Sequence, residues 1–189
     1  MFMHSGAAVP KFRRRKEGVT NYKKRLALVK SGLDRVVVRK SNRRIIGQLV
    51  RYEEKGDAVL ARADSGELKP LCGWPGRANR PTAYLTGLLL ARKAKGAGER
   101  IVLDIGLSSP VRDSIPFAFA KGCVDGGLKL VGTFDIAEST YDATGIVKYA
   151  EALRKSQPEA AHFSEYAKEG KVEALPELFR KAKEKLMKG

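Results

Sequence analysis

The chain has 189 residues, 43% of them hydrophobic and 7% aromatic, which suits one domain with appendages around a real core and excludes a second full domain. Charged residues make up 31% and the formal net charge is +16. Such a field favours a polyanionic partner, nucleic acid first and an anionic membrane surface second.

The opening "MFMHSGAAVP" places no basic region ahead of an apolar run, so it does not read as a secretory signal. The charge begins just after it. Lys11 to Arg44 carries fourteen Lys or Arg against Glu17 and Asp34, a net +12, whereas residues 45–141 and 142–189 each add only +2. Between Lys11 and Gly18 the only apolar side chain is Phe12, which predicts an extended arm with no buried face. Thr20 or Asn21 can then cap a short basic helix through "YKKRLALVKSG", with Tyr22, Leu26 and Val29 along one apolar edge and Gly32 as its stop.

Three runs rich in Val, Ile and Leu follow, "RVVVRKS", "RRIIGQLVRY" and "DAVLARADS", separated by "SN" and "EEKG". They predict an antiparallel meander. In the second run Ile45, Gly47 and Leu49 share one face and Ile46, Gln48 and Val50 the other, so one side packs on helices and the other is partly covered. "GWPGRANRP" reads as a loop, with Pro81 in the first turn of a helix whose Tyr84, Leu85, Leu88, Leu89 and Arg92 recur at helical spacing until Gly96 and Gly98. "RIVLDIG" is a buried strand, and "SSPVRDSIPFAFAKGCVDGG" a second helix, with Asp113 or Ser114 as cap and Gly126 and Gly127 as stop. "LKLVGTFDIAEST" reads as extended. After Asp142 three amphipathic helices are expected, the last with Leu175, Leu178, Phe179, Ala182 and Leu186 on one stripe.

The fold class is therefore α/β in the α+β sense: a three-strand antiparallel meander followed by helix, strand and helix, a topology that also suits ribonuclease-H-like folds. It divides into a basic arm and short helix at 1–32, a central α/β domain at 33–140 and a helical extension at 141–189. The longest uncharged, mostly apolar segment near the middle, Pro81 to Ala91, has eleven residues, where a membrane span needs about 18. Cys72 and Cys123, without C-x-x-C spacing, read as free buried thiols of a cytosolic protein.

"KFRRRK" alone is equally a solvated charge run, a nuclear import signal or a nucleic-acid contact. A second cluster, "RKSNRR", shifts the balance, because a tight Ser41–Asn42 connection puts Arg39, Lys40, Arg43 and Arg44 at one hairpin tip. Lys and Arg spaced along an arm, a helix and a hairpin can track phosphates. Tyr22 adds a stacking or hydroxyl contact, or else packs within its helix. Nothing points to base-specific readout, which favours the shape of a folded RNA over a DNA sequence code.

The enzymatic alternative is a metal-dependent nuclease using Asp104, at the end of "IVLD". The first strand offers no acid to share a metal, so Asp104 reads better as a strand-end acceptor for the "GLSS" loop. Asp113 and Asp125 fit helix-cap and turn roles. His4 and His162 have no neighbouring ligand pattern, and neither Ser108, Ser109 nor Cys123 has the spacing of a nucleophile. No catalytic residue, metal site or cofactor is expected.

"FRRRKEGVTNYKKRLALVKSG", "RVVVRKSNRRIIGQLV", "AYLTGLLLARKA" and "VLDIGLSSP", in this order, resemble the archaeal form of the 5S-rRNA-binding large-subunit ribosomal protein eighteen family, whose eukaryotic relative is large-subunit protein five. The resemblance implies a non-catalytic, cytoplasmic constituent of the large ribosomal subunit with an arm that enters RNA. Its implied partners are 5S rRNA, the large rRNA and neighbouring proteins of the central protuberance, with no membrane. By motif, RNA contact is carried over to Arg13, Arg14, Arg15 and Lys16, to Thr20, Tyr22, Lys23, Lys24 and Arg25, and to Arg39, Lys40, Ser41, Asn42, Arg43 and Arg44. Trp74, Arg77 and Arg80 resemble a family loop but stay outside this principal site, Trp74 being equally suited to packing. Helices after Asp142 match the archaeal type rather than the shorter bacterial relatives. A general RNA-binding or chaperone role is the main alternative.

Overall fold

The computed structural model describes residues 10–94, 97–98, 100–156 and 172–188. His4, His162, Gly96 and the middle helix expected after Asp142 lie outside the described residues. The architecture is α+β, with a mixed four-stranded sheet.

β1 (Asp34–Lys40) pairs antiparallel with β2 (Ile45–Arg51), and β2 with β3 (Ala58–Asp64). β4 (Ile101–Asp104) lies parallel to β1 on its other side, giving the order β3-β2-β1-β4. Because side chains alternate across a sheet, Val36, Val38, Ile45, Leu49 and Ala63 enter the core. Arg35, Val37, Arg39, Gln48 and Asp104 belong to the opposite face by register. The outer edge of β4 is covered by a single bridge between Ile101 and Leu130. Apart from this, the segment expected to be extended after Gly127 is irregular, with a 3₁₀ turn at Glu138–Thr140.

The two central helices are α4 (Arg80–Lys93) and α5 (Ile115–Asp125). α4 is buried from Pro81 through Ala91 on every side, because the sheet, α5 and the C-terminal helix all pack on it. Its start is set by Asn79, whose side chain accepts from the Thr82 amide at 3.0 Å. A short helix, Leu68–Cys72, precedes it where no element was expected. At α5 the cap position is Ser114, but neither it nor Asp113 caps through its side chain. α4 and α5 approach backbone to backbone: a Cβ on Gly87 would sit 2.2 Å from the Phe119 carbonyl oxygen, and one on Gly122 would sit 2.1 Å from that of Tyr84.

The C-terminal helix, Leu175–Lys188, buries Leu175, Phe179, Ala182 and Leu186, four of the five stripe residues, and half-buries Leu178. Phe179 meets Trp74 edge-on at 5.9 Å, and Tyr84 stacks on Tyr141 at 4.2 Å. Trp74 is fully buried and donates from Nε1 to Thr82 Oγ1 at 2.8 Å, so it packs rather than faces a partner. The thiols are free; Cys123 is buried, while Cys72 is only partly so, and burial pushes both thiols up from their ordinary range.

Gly122→Ala is expected to force α4 and α5 apart and cost about 1–3 kcal/mol, the usual range for overpacking, read as a lower urea midpoint. Alkali supplies a second check. Burial, with Asp125 and Glu138 nearby, raises the Tyr141 phenol to about 12. The folded value therefore lies above the unfolded value of about 10. The stability this gives is complete below about pH 10 and is lost as pH rises towards 12. Absorbance at 295 nm will show tyrosine ionisation that Tyr141→Phe removes only from the late part of the titration.

Candidate nucleic-acid interface

The arm is not extended throughout: Arg13–Lys16 form one α-helical turn. Phe12 supplies the reason, its ring lying 5.0 Å from that of Tyr22 and folding the arm back onto α2 (Tyr22–Lys30). Arg14 Nε donates to Thr20 Oγ1 at 2.8 Å, and Arg13 Nε to Glu17 at 2.8 Å. Asn21 rather than Thr20 caps α2, accepting from the Lys24 amide at 3.1 Å, and Gly32, at φ +65, ends it in the left-handed conformation that suits glycine. The inward edge uses Tyr22, Leu28 and Val29; Leu26, expected there, is exposed.

The hairpin connection is four residues long, Ser41 to Arg44, because Ser41 closes it from both sides. Its amide donates to the Arg44 carbonyl at 2.8 Å, and its Oγ accepts from the Arg44 amide at 3.0 Å. This separates the basic cluster into two groups. Arg39 and Lys40, on the end of β1, line a cleft of ≈ 580 Å³; Arg43 and Arg44 stand on the tip outside that lining. Arg44 lies 3.7 Å from Asp64, a long and exposed pair of little energetic weight.

The lining includes Arg14, Lys24 and Arg25 from the arm and α2, and Arg39, Lys40 and the loop from Ile105 to Pro110 from the ends of β1 and β4. Of the expected contact residues, the cleft therefore gathers Arg14, Thr20, Lys24, Arg25, Arg39 and Lys40. Arg13, Arg15, Lys16, Tyr22, Lys23 and Ser41 to Arg44 are not among its lining. Among the described residues no carboxylate lies within ion-pair distance of Arg15, Lys16, Lys23, Lys24, Lys40 or Arg43. The Gly106–Pro110 loop was missed as a site. "GLSS" carries no charge, and only the parallel pairing of β4 with β1 brings it beside Arg39.

A chain of alternating charges fixes this geometry. Arg25 NH2 reaches Asp57 Oδ2 at 2.9 Å, and Arg35 NH2 reaches Asp57 Oδ1 at 2.8 Å. Arg35 NH1 lies 3.7 Å from Asp104 Oδ2, and Arg39 NH2 lies 3.3 Å from Asp104 Oδ1. Arg35 is only 1% exposed, and its Nε and NH2 lack well-aligned hydrogen bonds. The Arg35–Asp57 contact is thus close but off-line, an ion pair more than a directed bond.

Asp104 also accepts from the Gly106 amide at 2.8 Å, the loop bond expected of it from sequence. Its neighbours are guanidinium groups rather than acids. Among the described residues no three His, Cys, Asp or Glu side chains converge as metal ligands.

Cations from the arm, α2 and the end of β1 thus line one cleft of an α+β fold. Residues 9–99 match the family described as "Ribosomal large subunit proteins 60S L5, and 50S L18", and over that stretch the chain is similar to it. That family is a structural, non-enzymatic class of large-subunit ribosomal proteins, which work in translation with rRNA and other ribosomal proteins. Among the described residues no helix is long and apolar enough to cross a membrane.

Arg35→Ala would leave Asp104 and Asp57 short of their shared cation, and a loss of about 3–5 kcal/mol is expected, as for other broken buried pairs. Urea unfolding of the purified variant checks it; an unchanged midpoint would show that the charge chain does not hold the sheet to α2.

Proposed function

We propose that the chain binds 5S rRNA and helps attach it to the large rRNA in the central protuberance. The observation that carries this reading is the cleft, where cations from three separate segments, the arm, α2 and the end of β1, face one loop. Separated charges held by a common scaffold recognise the shape of a phosphate backbone, whereas a contiguous run binds any polyanion. Arg13, Arg15, Lys16, Lys23 and the tip residues Ser41, Asn42, Arg43 and Arg44 extend the same surface on either side of the cleft. Tyr22 supports it from below by holding Phe12.

In this division of labour residues 1–32 are the RNA-entering arm, 33–140 the scaffold that shapes the cleft, and 141–189 an extension of the archaeal type directed to large rRNA or adjacent proteins. The surplus charge supports the first two assignments, since Lys11 to Arg44 holds most of it. Counterion release on phosphate contact offsets the entropy of ordering the arm.

Affinity for 5S rRNA and for a size-matched control RNA across a salt series tests the reading. The expected result is a preference of about a thousandfold or more, with steep slopes for both RNAs. Equal binding at every salt concentration would favour the general RNA-binding alternative. Replacing Arg13, Arg14 and Arg15 together by Ala is expected to weaken RNA binding while leaving the thermal midpoint nearly unchanged, since all three are exposed; a large fall in the midpoint would instead put the arm in the core.

A further inference from the structure

Resting on the RNA-binding reading above and deepening it, we propose that Arg39 is a pre-set anchor for one backbone phosphate of the bound RNA, and that Asp104 is the positioning residue that sets it. Arg39 is held more fully than the other arginines of the cleft, for Arg14 and Arg25 each make one side-chain bond, to Thr20 and to Asp57, where Arg39 makes three. A guanidinium carries five N–H donors in a planar fork. Arg39 NH1 donates to the carbonyl oxygens of Val38 at 2.8 Å and Asp104 at 3.0 Å, and NH2 donates to Asp104 Oδ1 at 3.3 Å. The donors left over are Nε–H and the second hydrogen of NH2. These share one edge of the fork, the edge that grips two oxygens of a phosphate.

The loop braces the same group. A Cβ on Gly106 would lie 2.9 Å from Arg39 Cζ and 3.0 Å from NH1, so a side chain there would push the guanidinium out of place, and the left-handed φ of +61 favours glycine as well. Arg39 nonetheless remains 50% exposed along its side chain and lines the cleft. Its unused edge is therefore available to a ligand. Asp104 restrains it with a carboxylate that is only 11% exposed and is shared with Arg35 and the Gly106 amide. The acid holds the anchor without presenting a bare charge to the RNA.

Lys24 and Lys40 contrast with this arrangement, since among the described residues no carboxylate pairs with them, and each is a point charge on a flexible stem. A guanidinium already fixed loses less side-chain entropy on binding. The residue that sequence reasoning singled out for metal chemistry thus has a place in the binding surface, through Arg39 rather than through an ion.

The test is 5S rRNA binding by the full chain over a salt series, with Arg39→Lys, Arg39→Ala and Asp104→Asn, and Arg92→Lys as a matched change outside the surface. Arg39→Lys keeps the charge and loses the fork. It is expected to weaken binding by at least about tenfold, the worth of one charge-assisted hydrogen bond, with an unchanged salt slope. Arg39→Ala should weaken binding and also make the slope shallower by about one. Asp104→Asn separates positioning from simple charge: removing an acid beside a polyanion site tightens binding if only net charge matters, whereas loss of the anchor weakens it. Thermal melting establishes that this variant is folded, and Arg39→Lys decides the matter if it is not.

Arg39→Lys binding like wild type, or a folded Asp104→Asn binding as tightly or more tightly, overturns the proposal. A wild-type chain that does not prefer 5S rRNA over the control overturns the reading beneath it, and that result is seen before any variant is made.

Discussion

The buried guanidinium of Arg35 is the constraint around which the open face of the sheet is organised. Taking a charge out of water costs several kcal/mol, and the structure keeps it charged only by bringing carboxylates to it. Asp57 arrives from the turn before β3, and Asp104 from the end of β4. Each carboxylate then holds a second, more exposed arginine, Arg25 on α2 and Arg39 on β1. One buried charge thereby fixes where two exposed ones stand, and the cleft lies between them.

The opposite face of the sheet serves a different end. Its side chains, with the all-round burial of α4 and the near contact of Gly87 and Gly122 with α5, make a closely packed interior. The aromatic group of Trp74, Tyr84, Tyr141 and Phe179 joins the C-terminal helix to that interior. With one face filled, the polar face and its cationic border are what the fold leaves open to a partner. The sign of the surface comes from composition, and its shape from β4 lying parallel to β1.

Much of this was legible in the sequence wherever a local pattern decided the outcome. The alternation in "IIGQLV" and the stripe from Leu175 to Leu186 each lead to the face that is buried, whereas the spacing of Tyr84 to Leu89 marks a helix that is buried all round. The arm was harder, because the Phe12–Tyr22 contact that turns it into a helical turn is a pairing of two side chains ten residues apart with no periodicity to announce it. Leu26 and Leu28 exchanged roles on α2 for a related reason: a helix of nine residues with no fully buried side chain is oriented by its neighbours rather than by its own pattern. Charge counting found the cations but not which of them share a cleft. That depends on the four-residue hairpin connection and on a loop, Gly106 to Pro110, that carries no charge at all.

The central claim is that the cleft between α2 and the β1–β4 edge is the surface that meets rRNA. Lysine acylation of the full chain, free and bound to 5S rRNA, followed by mass spectrometry, tests it most directly. Lys24 and Lys40, contributed to the lining of the cleft by α2 and β1, are predicted to lose reactivity together on binding, while exposed Lys129, beyond β4, keeps its reactivity. Undiminished labelling of both Lys24 and Lys40 in the saturated complex would contradict the account.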